Sequence, residues 1–99
     1  MRGKKSSEED ARVAAETLAL RALAFLAGDR ERLGRFLALS GFGPAELRAH
    51  ATDPALLGGV LDHLLGDERL LRAFAEACEL PPEAAARARR LLPGAAPPD

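Results

Sequence analysis

Apolar positions recur along this chain at helical spacing almost from end to end. Ala11, Ala14, Ala15, Leu18, Ala22, Phe25 and Leu26 form one stripe, and Leu20 and Leu23 widen it around the cylinder. That pattern predicts a central first helix over residues 7–27, with Ser6 and Ser7 ahead of an acidic first turn. A second helix is predicted after Asp29, running to residue 39, with Leu33, Phe36 and Leu37 inward and Arg30, Arg32 and Arg35 outward. Pro44 opens a third, to about residue 51. Asp53-Pro54 opens a fourth, 54–65, whose Leu56, Leu57, Val60, Leu61, Leu64 and Leu65 make a clean stripe. A fifth follows Asp67 and buries Leu70, Leu71, Phe74 and Cys78. A sixth opens near Pro82 and buries Ala85, Ala88, Leu91 and Leu92, leaving Glu83, Arg87 and Arg90 outside. Val13, Thr17, Thr52 and Val60 are isolated β-branched residues, which is no basis for strands.

The chain also repeats itself at an offset of 38 residues. Leu26, Gly28, Asp29, Leu33, Phe36 and Pro44 match Leu64, Gly66, Asp67, Leu71, Phe74 and Pro82 without a gap. Ser40 against Cys78 and Phe42 against Leu80 are near matches. Each Gly-Asp junction reads as a left-handed helix end followed by an N-cap. Repeated units of this kind cannot bury their apolar faces alone. The expected fold is all-α, a compact bundle of six short helices arranged as two helical triplets about a pseudo-twofold axis. It forms a single domain over 7–93, with repeats at 17–51 and 55–89 and disordered tails at 1–6 and 94–99. Duplication and reuse of the same capping chemistry both explain the echo.

Bulk properties narrow the function classes. The 99 residues suffice for one core, and 47% hydrophobic and 29% charged residues is ordinary for a soluble domain. A formal net charge of −1 argues against a general nucleic-acid binder. Lys4 and Lys5 are the lysines among 14 basic residues and the rest are Arg, a bias expected of GC-rich coding. The lone Cys78 excludes an internal disulfide and points to a reducing compartment. The charged start does not read as a signal peptide, and the apolar run 17–27 is about half the ~20 residues a bilayer span needs.

Ser40-Gly41-Phe42-Gly43-Pro44 is the conspicuous loop. Gly-hydrophobic-Gly between helices is the centre of a helix-hairpin-helix turn, whose backbone N–H groups hold a DNA phosphate. Leu47 stands where that motif prefers a small residue, and Glu46 would sit near the phosphate. Two caps explain the same residues. Gly41 ends one helix in the left-handed region, Phe42 packs on Leu37 and Leu47, Gly43 caps the next helix, and Pro44 is its first residue. Phe42, Gly43, Arg32, Arg35, Arg48, Arg87 and Arg90 are the candidate interaction residues. For DNA binding, Arg32, Arg35, Arg48 and His50 should form one patch without interleaved acids. Arg87, Arg89 and Arg90 read as a solvated helix end. His50 and His63 read as surface histidines, and Cys78 as a core thiol unless the fold unites it with His63.

The segments ETLALRALAFLAGDRERLGRFLALSGFGPAELR and DPALLGGVLDHLLGDERLLRAFAEACELPPE resemble a family of short bacterial proteins, domain of unknown function 3572. Phe25-Leu26, Asp29, Phe36-Leu37, Gly41, Gly43-Pro44, Asp53-Pro54, Phe74 and Leu80-Pro81 carry the resemblance, over roughly residues 13–92. It implies a small helical bacterial protein with no assigned activity and no catalytic residues to transfer.

The resulting expectation is a cytoplasmic protein-interaction module or adaptor. It has no catalytic activity, cofactor or metal and no membrane association, binds an unknown protein partner, and is itself a monomer or weak dimer. Nucleic-acid association through the Gly-Phe-Gly-Pro turn is the alternative.

Overall fold

The computed structural model describes the backbone of residues 2–94 and the side chains of residues 7–94. Six helices follow one another: α1 (Arg2–Ala27), α2 (Arg30–Ser40), α3 (Pro44–Ala49), α4 (Pro54–Leu65), α5 (Glu68–Ala77) and α6 (Glu83–Arg90). The described residues contain no strand. α1 begins five residues before the expected Ser7, so Ser6 and Ser7 lie inside the helix and do not cap it. Neither breaks a helix, and no proline precedes them. Gly94 has a φ of 87°; the rest of the expected C-terminal tail lies outside the described residues.

The core is one cluster at the crossing of α1, α4 and α6. Ala15, Ala19, Ala22 and Leu26 from α1 meet Leu57, Val60, Leu61 and Leu64 from α4. Ala85 and Ala88 of α6 and the following Leu92 close the third side. The alanine faces of α1 and α6 let their backbones approach α4 closely, so the leucines of α4 supply most of the apolar volume. Each fully buried Leu or Val contributes about 1.5–3 kcal/mol before ordering entropy is counted. α2 packs on α1 and α4, delivering Phe36, and α5 packs on α4, delivering Phe74. The body measures 46 × 28 × 28 Å. Its long dimension follows α1, whose 26 residues span about 39 Å at 1.5 Å per residue. No helix among the described residues is long and apolar enough to cross a membrane.

Both Gly-Asp junctions turn the chain in the same way, by a different route from the one expected. Gly66 is right-handed, with φ −83°, and Gly28 is not among the positive-φ residues. A tight turn closes each helix: Asp29 N–H donates to the Leu26 carbonyl at 3.2 Å, and Asp67 N–H to the Leu64 carbonyl at 3.0 Å. Both aspartates are then extended, φ −133° and −138°, and cap the next helix. Asp29 accepts from the N–H of Glu31 and Arg32, and Asp67 from that of Leu70.

The matching positions at the far ends of α2 and α5 also share a conformation. Gly41 has φ 81° and Glu79 has φ 54°, both in the left-handed region. Beyond them the two halves part. α6 packs against α1 and α4, whereas α3 lies against no helix over a comparable length. Phe36 and Phe74 are both buried but do not pair with each other. Phe74 meets Phe25 edge-on at 5.7 Å, and Phe36 meets Phe42 at 6.2 Å. Leu92 is buried as expected, but Leu91 is 45% exposed, because α6 ends at Arg90.

Candidate functional site

Three helix ends meet beside Phe36. α2 enters under the Asp29 cap and presents Arg32 and Arg35, one turn apart, on one flank. α4 presents His63 in its last turn, and Asp67 starts α5. Between them is a cleft of about 480 Å³, lined by Arg35, Leu39, Asp62, His63, Gly66, Asp67 and Glu68. A smaller hollow of about 170 Å³ shares Arg35, His63 and Asp67 and adds Glu31, Arg32 and Leu70.

His63 is half-buried, which corrects the surface reading. Its ring meets Phe36 edge-on, 5.2 Å between centroids and 71° between planes. Burial pushes its pKa below the ordinary 6.5; the Asp67 carboxylate opposes that shift and Arg35 adds to it. At neutral pH His63 is therefore an uncharged imidazole, offering one donor and one acceptor.

The acids of the cleft are already engaged. Asp62 takes a two-pronged bond from Arg89, 2.7 Å from Nε and 3.1 Å from Nη2. Asp67 accepts the Leu70 N–H at 3.2 Å, and Glu68 pairs with Arg72 at 3.6 Å, one turn on. Arg32 is half-buried, with its guanidinium 4.5 Å above the Phe25 ring, so it does not face outward as expected. Arg35 is exposed and makes no ion pair among the described residues. Leu39, on the lip, is 69% exposed, the most open large apolar side chain described. The arrangement thus offers an apolar contact, a free positive charge and a neutral imidazole side by side.

The other predicted residues lie elsewhere. Phe42 is half-buried against Phe36, and the Gly41–Pro44 turn serves two caps. Its donors are occupied: Gly41 N–H by the Leu37 carbonyl at 3.0 Å, Phe42 N–H by Ser40 Oγ at 3.3 Å, and Gly43 N–H by the Glu46 carboxylate at 3.4 Å. Arg48 folds back on its own helix, Nε donating to the Pro44 carbonyl at 3.4 Å. His50 borders a groove of about 300 Å³ with Phe42, Glu46 and Asp53. Acids therefore interleave with the basic residues around the turn. Arg87 and Arg90 are exposed on α6. Arg87 edges a shallow apolar groove against α1, and Arg90 stands beside Glu8, Glu9 and Arg12.

Arg89 and Cys78 depart from the sequence reading. Arg89 is not a solvated helix end: its side chain is 11% exposed. Besides gripping Asp62, its Nη1 donates to the carbonyls of Leu92 and Pro93, tying the C-terminal segment to α4. Gly58 makes room for it. A Cβ there would lie 3.0 Å from Nη1 of Arg89 and 3.1 Å from the Pro93 carbonyl. The signal in the sequence was Gly58-Gly59 inside a leucine-rich helix, where glycine is costly without a close approach to permit. Cys78 is the half-buried C-cap of α5 and not a member of the buried core. The ten residues of α5 place it about 15 Å of helix from the His63 end, so the two do not pair.

Neither a curated protein nor a solved structure matches the chain. A family model described as "Protein of unknown function (DUF3572)" matches residues 12–95, and the chain belongs to that family.

Proposed function

We propose that this protein is a small interaction module, without catalytic activity of its own, that holds a partner protein in the α2–α4–α5 cleft. One observation carries the reading: Leu39 stands 69% exposed beside Arg35, which makes no ion pair among the described residues, while two acids of the cleft, Asp62 and Glu68, are paired with Arg89 and Arg72. The chemistry suits a partner segment that sets an apolar side chain beside a carboxylate. Leu39 takes the first, Arg35 the second, and neutral His63 is free to hydrogen bond. A lone cysteine and a bundle built on ordinary apolar packing suit the bacterial cytoplasm.

A photo-crosslinking side chain at position 68, which lines the same cleft, used in host cells, tests this. One discrete adduct is expected, lost in Arg35→Glu and in Leu39→Asp while the melting temperature is retained. Adducts that ignore both substitutions would overturn the reading. The nucleic-acid alternative requires the Gly41–Pro44 turn to exchange its present partners for phosphate. Titration with short duplex DNA addresses it: saturable amide shifts confined to residues 42–46, fading steeply with salt, would favour that alternative.

A further inference from the structure

α1 buries one face and leaves the opposite one uncovered. Ala15, Ala19, Ala22 and Leu26 point into the core. On the far side, Val13 (58% exposed), Thr17, Leu20 (38% exposed) and Ala24 are all open. Their spacing of four, three and four residues is that of alternating d and a positions in a heptad. No charged residue interrupts the seam between residues 13 and 24.

The repeat shows what such a face is for. At the 38-residue offset, Leu20 and Ala24 correspond to Gly58 and Asp62 on α4. That face of α4 is covered by α6, which Arg89 clamps in place. Ala51 stands where Arg89 would be, so the first half has no matching clamp and α3 does not cover α1.

We propose that a second copy of this chain covers it, the two α1 helices pairing as a short parallel, in-register coiled coil. Charge selects this occupant and this direction. Glu16 and Arg21 flank the seam at g and e, and a parallel pair sets Glu16 of each copy against Arg21 of the other. Arg21 is already oriented, one Nη2 hydrogen going to the Cys78 carbonyl at 3.3 Å and the rest of the guanidinium making no hydrogen bond or ion pair among the described residues. An antiparallel pair sets g against g and e against e, which brings these opposite charges no benefit.

Sedimentation equilibrium across a concentration series is expected to show a reversible monomer–dimer equilibrium. Val13→Arg with Leu20→Arg should abolish the dimer and leave the monomer's helix content and melting unchanged, because both side chains are exposed. Glu16→Arg and Arg21→Glu should each weaken association, and the double exchange should restore it. In a Cys78→Ser background, Thr17→Cys should oxidise to a disulfide-linked homodimer. When it is mixed with Leu20→Cys, each should prefer itself. A wild-type chain that stays monomeric at every concentration would overturn the proposal and assign the face to another occupant. Predominant 17–20 cross-links would equally overturn the parallel pairing.

Discussion

The two halves of this protein share their beginnings and differ at their ends. Residues 28–42 and 66–80 run through the same sequence of events: a tight turn, an extended aspartate cap, a helix with a buried Phe, and a left-handed residue that ends it. Then the first half places Gly43-Pro44 and a short peripheral α3, while the second places Pro81-Pro82 and an α6 locked between α1 and α4. Local capping chemistry travels with the residues that make it. Docking of a third helix does not, because it depends on Gly58, Asp62 and Arg89 being present together. A turn and cap need only adjacent residues, whereas the clamp needs Arg89 brought against Gly58 and Asp62 of another helix. The likeness of the two halves is therefore one of local turn and cap geometry, and it stops where α3 and α6 begin.

The shared part is tested most severely at its phenylalanines. Phe36→Ala and Phe74→Ala should each cost about 3–5 kcal/mol in denaturant unfolding, since both rings are buried. A large inequality between them would mean that the two positions are not equivalent within the one core.

The differing part is tested at the clamp. Arg89→Ala should cost about 2 kcal/mol, as expected for losing charge-assisted hydrogen bonds, whereas Ala51→Arg should leave stability nearly unchanged. Gly58→Ala should cost about 1–3 kcal/mol by overpacking against Arg89 and the Pro93 carbonyl. Its neighbour Gly59 has nothing within 4 Å of a new Cβ, so Gly59→Ala should stabilise by about 0.5–1 kcal/mol. Thermal melts of this pair give opposite signs if the clamp is real.

The left-handed positions sharpen the likeness. Gly41→Ala should destabilise and Glu79→Gly should stabilise, each by about 1–2 kcal/mol, because only glycine is unstrained at positive φ. Equal signs in the two substitutions would separate the helix ends that the structure makes alike.

The smallest effect concerns His63, which corresponds to the half-buried, apolar Phe25 position of α1 in the offset alignment. Its folded pKa is lowered by burial, so the unfolded chain binds its proton more readily. Its contribution to stability is complete above the ordinary value near 6.5 and is lost as the pH falls toward the folded value. The melting temperature should decline across that window, and His63→Gln should flatten the decline. An identical pH profile in the variant would assign the dependence to other groups.

The element boundaries were readable because their causes are local. The N-cap aspartates 29, 53 and 67, the prolines at 44 and 54, and the apolar stripe of α4 act within a turn or two of where they stand. The left-handed end at Gly41 followed from the same short-range reasoning, and its failure at Gly28 and Gly66 follows too. A tight turn satisfies the backbone there without a positive φ, so the glycine was not diagnostic.

The clamp and the cleft could not be read in this way. Nothing adjacent to Arg89 in sequence distinguishes it from Arg87 or Arg90; it differs because its helix faces Asp62 across 27 residues of chain. His63 is half-buried because Phe36 arrives from α2, and Asp62 is matched because Arg89 arrives from α6. The sequence by itself determined where α2, α3, α4 and α5 start and that each helix must bury an apolar stripe, since dihedral preference and periodicity are properties of short segments. The tertiary structure decided which charges are neutralised, which apolar face remains open and which helix covers which. Those outcomes depend on the relative placement of groups that only the folded chain brings together.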